Sequence, residues 1–229
     1  MKTKIESAAA LEFDRWAKEG RAESMARGHR IAMEGATSPW QLDGNSTVLD
    51  VGCGNGWALR ALMDRGAGRG IGVDLSPEMI RLAREAQPGA SVEFHVGSAE
   101  RLPLSETCAT HILSVECIYY AQDPKAALAE WARVALPGAR LALVVDLFKE
   151  NPVGKVWVEA LDVSAHLLGE EDYRSLAQEA GWREVNCRRV LEPGEALSEG
   201  EFEASRYWPS YPLYLEYRRA GSLVVEGIR

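Results

Sequence analysis

The sequence predicts an α/β fold, a doubly wound sheet of mostly parallel strands with helices on both faces. Three observations carry this. From residue 47 onward, short apolar runs alternate with segments of helical periodicity, joined by short connections. Most of the apolar runs are continuous rather than alternating, as strands buried on both faces are. Directly after the first run stand Gly52, Gly54 and Gly56, a loop of bare backbone at a strand's carboxyl end, where such sheets bind ligands.

The elements follow in order. Residues 5–35 have helical character, with Leu11, Phe13, Trp16 and Ala17 in one stretch and Met25, Ile31 and Met33 in another. Gly20 and Gly28 interrupt the pattern, which predicts two or three short helices. A polar turn over 39–46 leads to a strand at 47–51, and a helix over 57–65 ends at Gly66. After a strand at 71–74, Ser76-Pro77-Glu78 starts a helix with a serine cap, a proline in the first turn and an early acid. That helix runs to about residue 86, before Pro88-Gly89, and strands follow at 91–96 and 110–115. Asp123-Pro124 opens a helix whose apolar stripe is Leu128, Trp131, Ala132 and Ala135. Pro137-Gly138 then turns into a fifth strand, 140–146. Helices at 152–164 and 170–180, a strand at 182–190, an insertion at 191–220 and a strand at 223–228 complete the chain. One domain over 1–229 is expected, with a helical lid (1–40), a ligand-binding core (47–147) and cap segments (150–169 and 191–220).

The bulk properties narrow the function. A net charge of −8 argues against a nucleic-acid partner, which calls for a basic face. No run reaches membrane-spanning length and the first residues lack a signal peptide's apolar core, so no membrane partner and a cytoplasmic location are expected. Cysteines 53, 108, 117 and 187 form neither a C-x-x-C pair nor a metal-type cluster, so reduced thiols and no metal centre are expected.

The glycine loop then discriminates among ligands. A nicotinamide-binding loop reads G-x-G-x-x-G, and its third glycine would fall on Trp57, whose indole prevents the close helix–strand approach that loop needs. No Gly-Lys-Ser/Thr follows, which excludes a P-loop. Asp74 ends the second strand eighteen residues after Gly56, placed to accept hydrogen bonds from both hydroxyls of a ribose. Asp50, inside the first strand, either holds a cofactor amine or fixes the loop. The small-residue turn after the third strand, Gly97-Ser98-Ala99-Glu100, suits the edge of an adenine.

Together these elements make the chain resemble the class I S-adenosylmethionine-dependent methyltransferases, and among them the type 11 group that mostly acts on small molecules. "VLDVGCGNG" resembles the family's first motif, "IGVDLSPEMI" its second and "GSAERLPL" its adenine-binding turn. The segment 111–144 resembles its fourth strand, next helix and fifth strand, with Pro137-Gly138-Ala139 departing from the usual Pro-Gly-Gly turn. The resemblance implies seven strands with the last one antiparallel, and S-adenosyl-L-methionine as cofactor. It implies Gly52, Cys53, Gly54 and Gly56 along the methionine part, Asp74 on the ribose, and Leu75 and Met79 flanking the adenine. Ser98, Ala99 and Glu100 would meet the adenine edge, and the backbone carbonyl of Ser114 the cofactor's amine.

Methyl transfer from a sulfonium is an in-line displacement in which positioning supplies much of the catalysis. A base is needed only where the acceptor must lose a proton. Glu116, Tyr119 and Tyr120 follow the fourth strand, and His29 lies in the helical lid; Glu116, His29 and Tyr119 are the expected catalytic groups. Each has a packing or capping alternative. The aromatics between Tyr207 and Tyr217 line an acceptor pocket, form a dimer contact or anchor the insertion. A small-molecule acceptor and a monomer or homodimer are expected, with a protein methyltransferase or a non-catalytic cofactor-binding scaffold as rivals. Nucleic-acid amino-methylation is disfavoured, because Ser114-Val115-Glu116-Cys117 lacks the Asn/Asp-Pro-Pro-aromatic loop that holds a flipped base.

Overall fold

The computed structural model describes residues 4–87, 89–105 and 107–229; the first three residues of the helical lid and Pro88 lie outside them. The strands are β1 (Thr47–Val51), β2 (Arg69–Asp74), β3 (Val92–Val96), β4 (Ala109–Val115), β5 (Ala135–Val145), β6 (Arg183–Val190) and β7 (Ser222–Ile228). They form one seven-stranded sheet in the order β3-β2-β1-β4-β5-β7-β6. The first five pair in parallel, and β7 runs antiparallel between β5 and β6. Strand order reverses at β1, which lies between β2 and β4, so the glycine loop leaves the sheet at the switch point.

Eight helices accompany the strands among the described residues: α1 (Lys4–Lys18), α2 (Arg21–Thr37), α3 (Trp57–Asp64), α4 (Pro77–Ala86), α5 (Pro124–Val134), α6 (Gly154–Ala160), α7 (Glu170–Glu179) and α8 (Tyr211–Ala220). The two-residue period of the strands divides the core. Leu49 and Val51 pack with Trp131 of α5 and Tyr173 of α7 on one face, while Val48 packs with Leu59 of α3 and Met33 of α2 on the other. The carboxyl half of α2 therefore belongs to the core, not only to a lid. Ser76 accepts from the Met79 amide at 3.0 Å, and Asp123 from Lys125 and Ala126 at 3.0 and 3.1 Å. Such caps each contribute about 1 kcal/mol.

Four elements differ from the sequence expectation. Gly20 breaks the first helical stretch in a left-handed conformation, but Gly28 continues inside α2. The Pro137-Gly138 turn is absorbed into β5, whose register jumps from Ala109↔Ala135 to His111↔Arg140. The helix expected over 152–164 shortens to α6. The insertion contains α8, unrecognised because Pro209 and Pro212 read as loop signals; Pro212 lies in its first turn, where no amide partner is lost.

Candidate functional site

Local hydrogen bonds shape the glycine loop. The amides of Gly52 and Cys53 both donate to the Val73 carbonyl, at 2.8 and 3.1 Å, tying the loop to the end of β2. The Asp74 carboxylate accepts the Gly54 amide on one oxygen and the Ser76 amide on the other, each at 2.8 Å. Asp74 thus clamps the loop to the start of α4. Gly54 and Gly56 both adopt positive φ, for different ends. A Cβ at Gly56 would come within 2.8 Å of the Phe94 ring, whereas one at Gly54 would meet nothing within 4 Å. Gly56 allows packing; Gly54 faces open space.

That space is a pair of cavities of about 90 and 60 Å³, meeting at Phe13, Gly52, Asp74, Cys117 and Tyr120. Cys53, Gly54 and Met79 line the first, with Trp57 beside them. Leu75, Ser98, Ala99 and Glu100 line the second. The fold therefore brings together most of the predicted cofactor residues. Gly56, Asp50 and Ser114 line neither cavity. Ser114 is buried and its hydroxyl donates to the Val51 carbonyl at 2.8 Å, joining β4 to β1. Asp50 is buried with one oxygen unpartnered; burial, reinforced by the charge of Asp74, pushes its carboxyl up to about 8. Glu100 accepts the Asp123 amide at 2.8 Å and so is engaged at the start of α5.

The two N-terminal helices roof these cavities. Asp14 accepts the Glu78 amide at 3.1 Å and the Ser76 hydroxyl, which fastens α1 to the start of α4. Asn55 donates to Glu23 at 2.8 Å, which fastens α2 to the glycine loop. Phe13 meets Tyr120 edge-on at 5.1 Å, closing the roof over the shared wall.

At the carboxyl ends of β4 and β5 lies an acid cluster with a histidine. Glu116 has φ 53°, uncommon for a residue with a side chain. Its carboxylate accepts the Asp146 amide at 2.6 Å and the Tyr119 hydroxyl at 2.7 Å. The surface it exposes faces a cavity rather than bulk water. Burial, then repulsion from Asp146, raises its carboxyl to about 7. His29 Nδ1 lies 3.3 Å from Asp146 Oδ2, an ion-pair distance with an angle poor for a hydrogen bond. Burial opposes the charged ring, but Asp146 and Glu116 outweigh it and raise His29 to about 9. The Asp146 carboxyl is held low: burial works against the charge, and His29, Ser222 and Tyr217 prevail, with the Tyr217 hydroxyl donating at 3.1 Å. The ligand atoms of His29, Glu116 and Asp146 all lie within 4.8 Å of one another, close enough for a metal ion. The imidazolium already supplies the positive charge that two close carboxylates require.

Past this cluster opens a larger cavity of about 630 Å³. Its wall is aromatic: Trp208 lies 5.2 Å from Trp157 and 4.9 Å from Tyr217, ring centroid to centroid. The Trp157 indole donates to the Tyr207 carbonyl at 2.8 Å, which holds the 191–220 insertion against α6. Sequence reasoning did not single out Asp146, Trp157 or the pairing of Tyr217 with Asp146. For Asp146 a signal was present, since it directly follows a buried strand, much as Asp74 ends one. For the other two no local pattern exists.

A family model described as a methyltransferase domain matches residues 49–143. A solved chain from the complex of the Haloferax volcanii Trm112 methyltransferase activator with a candidate methyltransferase is 32% identical, with a TM-score of 0.87, over 95% of this chain and 97% of that one. An S-adenosylmethionine-dependent methyltransferase of Thermotoga maritima shares the fold, with a TM-score of 0.69 at 23% identity over 96% of this chain and 98% of that one. An O-methyltransferase of Pyrenophora dematioidea is 30% identical over 61% of this chain and 55% of its own length. One of Penicillium expansum is 26% identical over 63% and 55%. The chain spans about half the length of the curated relatives it matches. The match of the core domain, joined to a near-full-length likeness at 32% identity, fixes the kinship: the chain belongs to the class I S-adenosylmethionine-dependent methyltransferases, in the type 11 group.

Proposed function

We propose that the protein transfers the methyl group of S-adenosylmethionine to a small molecule seated in the aromatic cavity. One observation carries this reading. The first cofactor cavity and the aromatic cavity share Trp16, Met25, His29, Glu116 and Tyr120, so donor and acceptor would face each other across Glu116. A volume of about 630 Å³ is in the range of small-molecule sites.

The residues present fit the cofactor. The open face of Gly54 and the Asp74 carboxylate, both on the cavity wall, offer what a nucleoside with an amino-acid arm needs. Gly52, Cys53 and Gly54 would hold its methionine part, Asp74 its ribose, and Leu75, Met79, Ser98, Ala99 and Glu100 its base. Gly56 and Ser114 support that site from behind, by packing and by the β4–β1 tie. When bound, S-adenosylmethionine supplies an electrophilic methyl group on a positively charged sulfur.

The protein's part is to align the acceptor, exclude water and take a proton. Glu116 is the proton acceptor best matched to neutral pH, because its carboxyl titrates near 7. Tyr119 holds the carboxylate through its hydroxyl. His29, raised to about 9, is protonated at neutral pH and serves as a positioning residue that carries charge beside Asp146. Unpaired thiols at all four cysteines accord with a cytoplasmic enzyme. Among the described residues, no helix is long and apolar enough to cross a membrane.

The test is transfer of labelled methyl from S-adenosylmethionine to a metabolite panel, with label expected in the small-molecule fraction. Glu116→Gln should lower turnover about 100-fold while S-adenosylhomocysteine affinity stays within about threefold. Unchanged turnover would remove the proton-acceptor role.

The Haloferax likeness supports a second reading. In that reading this chain, instead of acting as a monomer or homodimer, would pair with a methyltransferase activator and would methylate a protein or RNA. Label found only in macromolecules, and only with a co-purifying partner, would favour it. S-Adenosylhomocysteine binding with no label in any fraction would leave a scaffold.

A further inference from the structure

The aromatic cavity has a charge as well as a shape. Five acids line it, Glu116, Asp146, Glu192, Glu201 and Glu203, against two basic groups, Arg21 and His29. Several are already matched: Asp146 faces His29, Glu192 pairs with Arg218, and Glu201 accepts the Ser198 amide and hydroxyl. Glu203 makes no hydrogen bond or ion pair among the described residues, and Asp146 keeps one buried oxygen without a partner. The walls also take a cation. The Arg21 guanidinium lies 4.4 Å from the Trp16 ring centroid and 5.9 Å from that of Tyr207. Ring faces attract positive charge through their quadrupole, most strongly where water is excluded.

Resting on the reading of this cavity as the acceptor site, we infer that its substrates are amines that arrive as ammonium ions attached to an apolar, ring-sized body. The faces of Trp157, Trp208 and Tyr217 would enclose the body and Glu203 would attract the charge at the mouth. Glu116, at the wall shared with the cofactor cavity, would receive the nitrogen. The transfer balances. The ammonium gives one proton to the Glu116 carboxylate, and the freed lone pair forms the N–C bond to the methyl group. The C–S bonding pair stays on sulfur, which becomes a neutral thioether. A carboxylate-bearing acceptor of the same size would be repelled by the same acids, and a neutral alcohol would gain nothing from them.

Calorimetry on the protein saturated with S-adenosylhomocysteine, using phenethylamine, 2-phenylethanol and 3-phenylpropionate as probes of one shape, tests this. The amine should bind at least about tenfold more tightly than the alcohol, and the carboxylate least of all. Trp208→Leu should weaken amine binding about tenfold. Exposed Glu203→Gln, which puts no packing at risk, should weaken it about threefold. Both should leave S-adenosylhomocysteine affinity unchanged. Equal or tighter binding of the alcohol or carboxylate, or binding of none of the three, overturns the inference. If S-adenosylhomocysteine binds and alcohols are methylated, the methyltransferase reading stands and the amine inference falls. If S-adenosylhomocysteine itself fails to bind, both fall.

Discussion

The two halves of the site are built in opposite ways. The cofactor half is centred on one stretch, residues 52–100, under a roof of α1 and α2 and beside Cys117 and Tyr120, and backbone amides hold that stretch: Gly52 and Cys53 on Val73, Gly54 and Ser76 on Asp74. The acceptor half gathers Trp16, His29, Glu116, Asp146, Trp157, Trp208 and Tyr217 from six separate segments, held by side chains packed on side chains. Backbone geometry of the first kind requires particular residues at particular spacings. Side-chain assemblies of the second kind can be made in many ways. The donor site therefore shows a motif, and the recipient's pocket is individual.

The largest expected effect tests how far the cofactor half depends on a single carboxylate. Asp74→Ala removes the acceptor for the Gly54 and Ser76 amides along with the group proposed for the ribose. S-Adenosylhomocysteine affinity should fall by 100-fold or more, about 3 kcal/mol, by calorimetry. Affinity within threefold of the parent would show that the clamp and the ligand site are separate. Changes in the acceptor half, such as Trp208→Leu, should not move this quantity at all.

The same contrast explains what was legible in the sequence. Every β-strand was placed, because continuous apolar runs between turn residues have few other outcomes. The Ser76 and Asp123 caps and the Gly52–Asp74 spacing are local, and they came through. Gly28 misled because propensity alone penalises a glycine that packing of α2 on the sheet tolerates. The helix α8 was hidden by its prolines. Asp146 and Trp157 meet their partners 117 and 50 residues away, at His29 and Tyr207, and no window along the chain contains both members of either pair.

The second prediction concerns the electrostatics of the acceptor half. His29 is raised from 6.5 to about 9, so its stabilising contribution is fully present below 6.5 and is lost as pH rises through 9. The loss should be on the order of 2 kcal/mol, less than the full shift implies because the ring is partly exposed. Urea denaturation across this window should show the decline in the parent and a shallower one in His29→Gln. Glu116 and Asp50, buried carboxyls raised to about 7 and 8, also lose stability as pH rises, mainly below and into the lower part of the window. Asp50 does so in both proteins, so the difference between the two curves belongs to His29 and the two acids it faces, Asp146 and Glu116. Identical curves would mean that the pair does not hold the roof to the sheet.

The smallest expected effect is also the one that most directly separates the fold from the site. Gly28 lies within α2, without positive φ, and a Cβ there would meet nothing within 4 Å. By helix propensity alone, Gly28→Ala should stabilise the protein by roughly 0.5–1 kcal/mol, and Tm should rise by about 2–3 °C for a chain of this size. The space is open because Gly28 borders the aromatic cavity, one residue before His29. The added methyl group should therefore narrow the acceptor site while leaving S-adenosylhomocysteine affinity alone. Gly54 offers the converse, since alanine there is strained by a φ of +53° and projects into the cofactor cavity. A Gly28→Ala protein that is more stable, binds S-adenosylhomocysteine normally and holds phenethylamine less well would show the roof helix giving up stability to keep its pocket open. A protein more stable with unchanged acceptor binding would place the acceptor deeper, against Trp157 and Tyr217, and out of reach of α2.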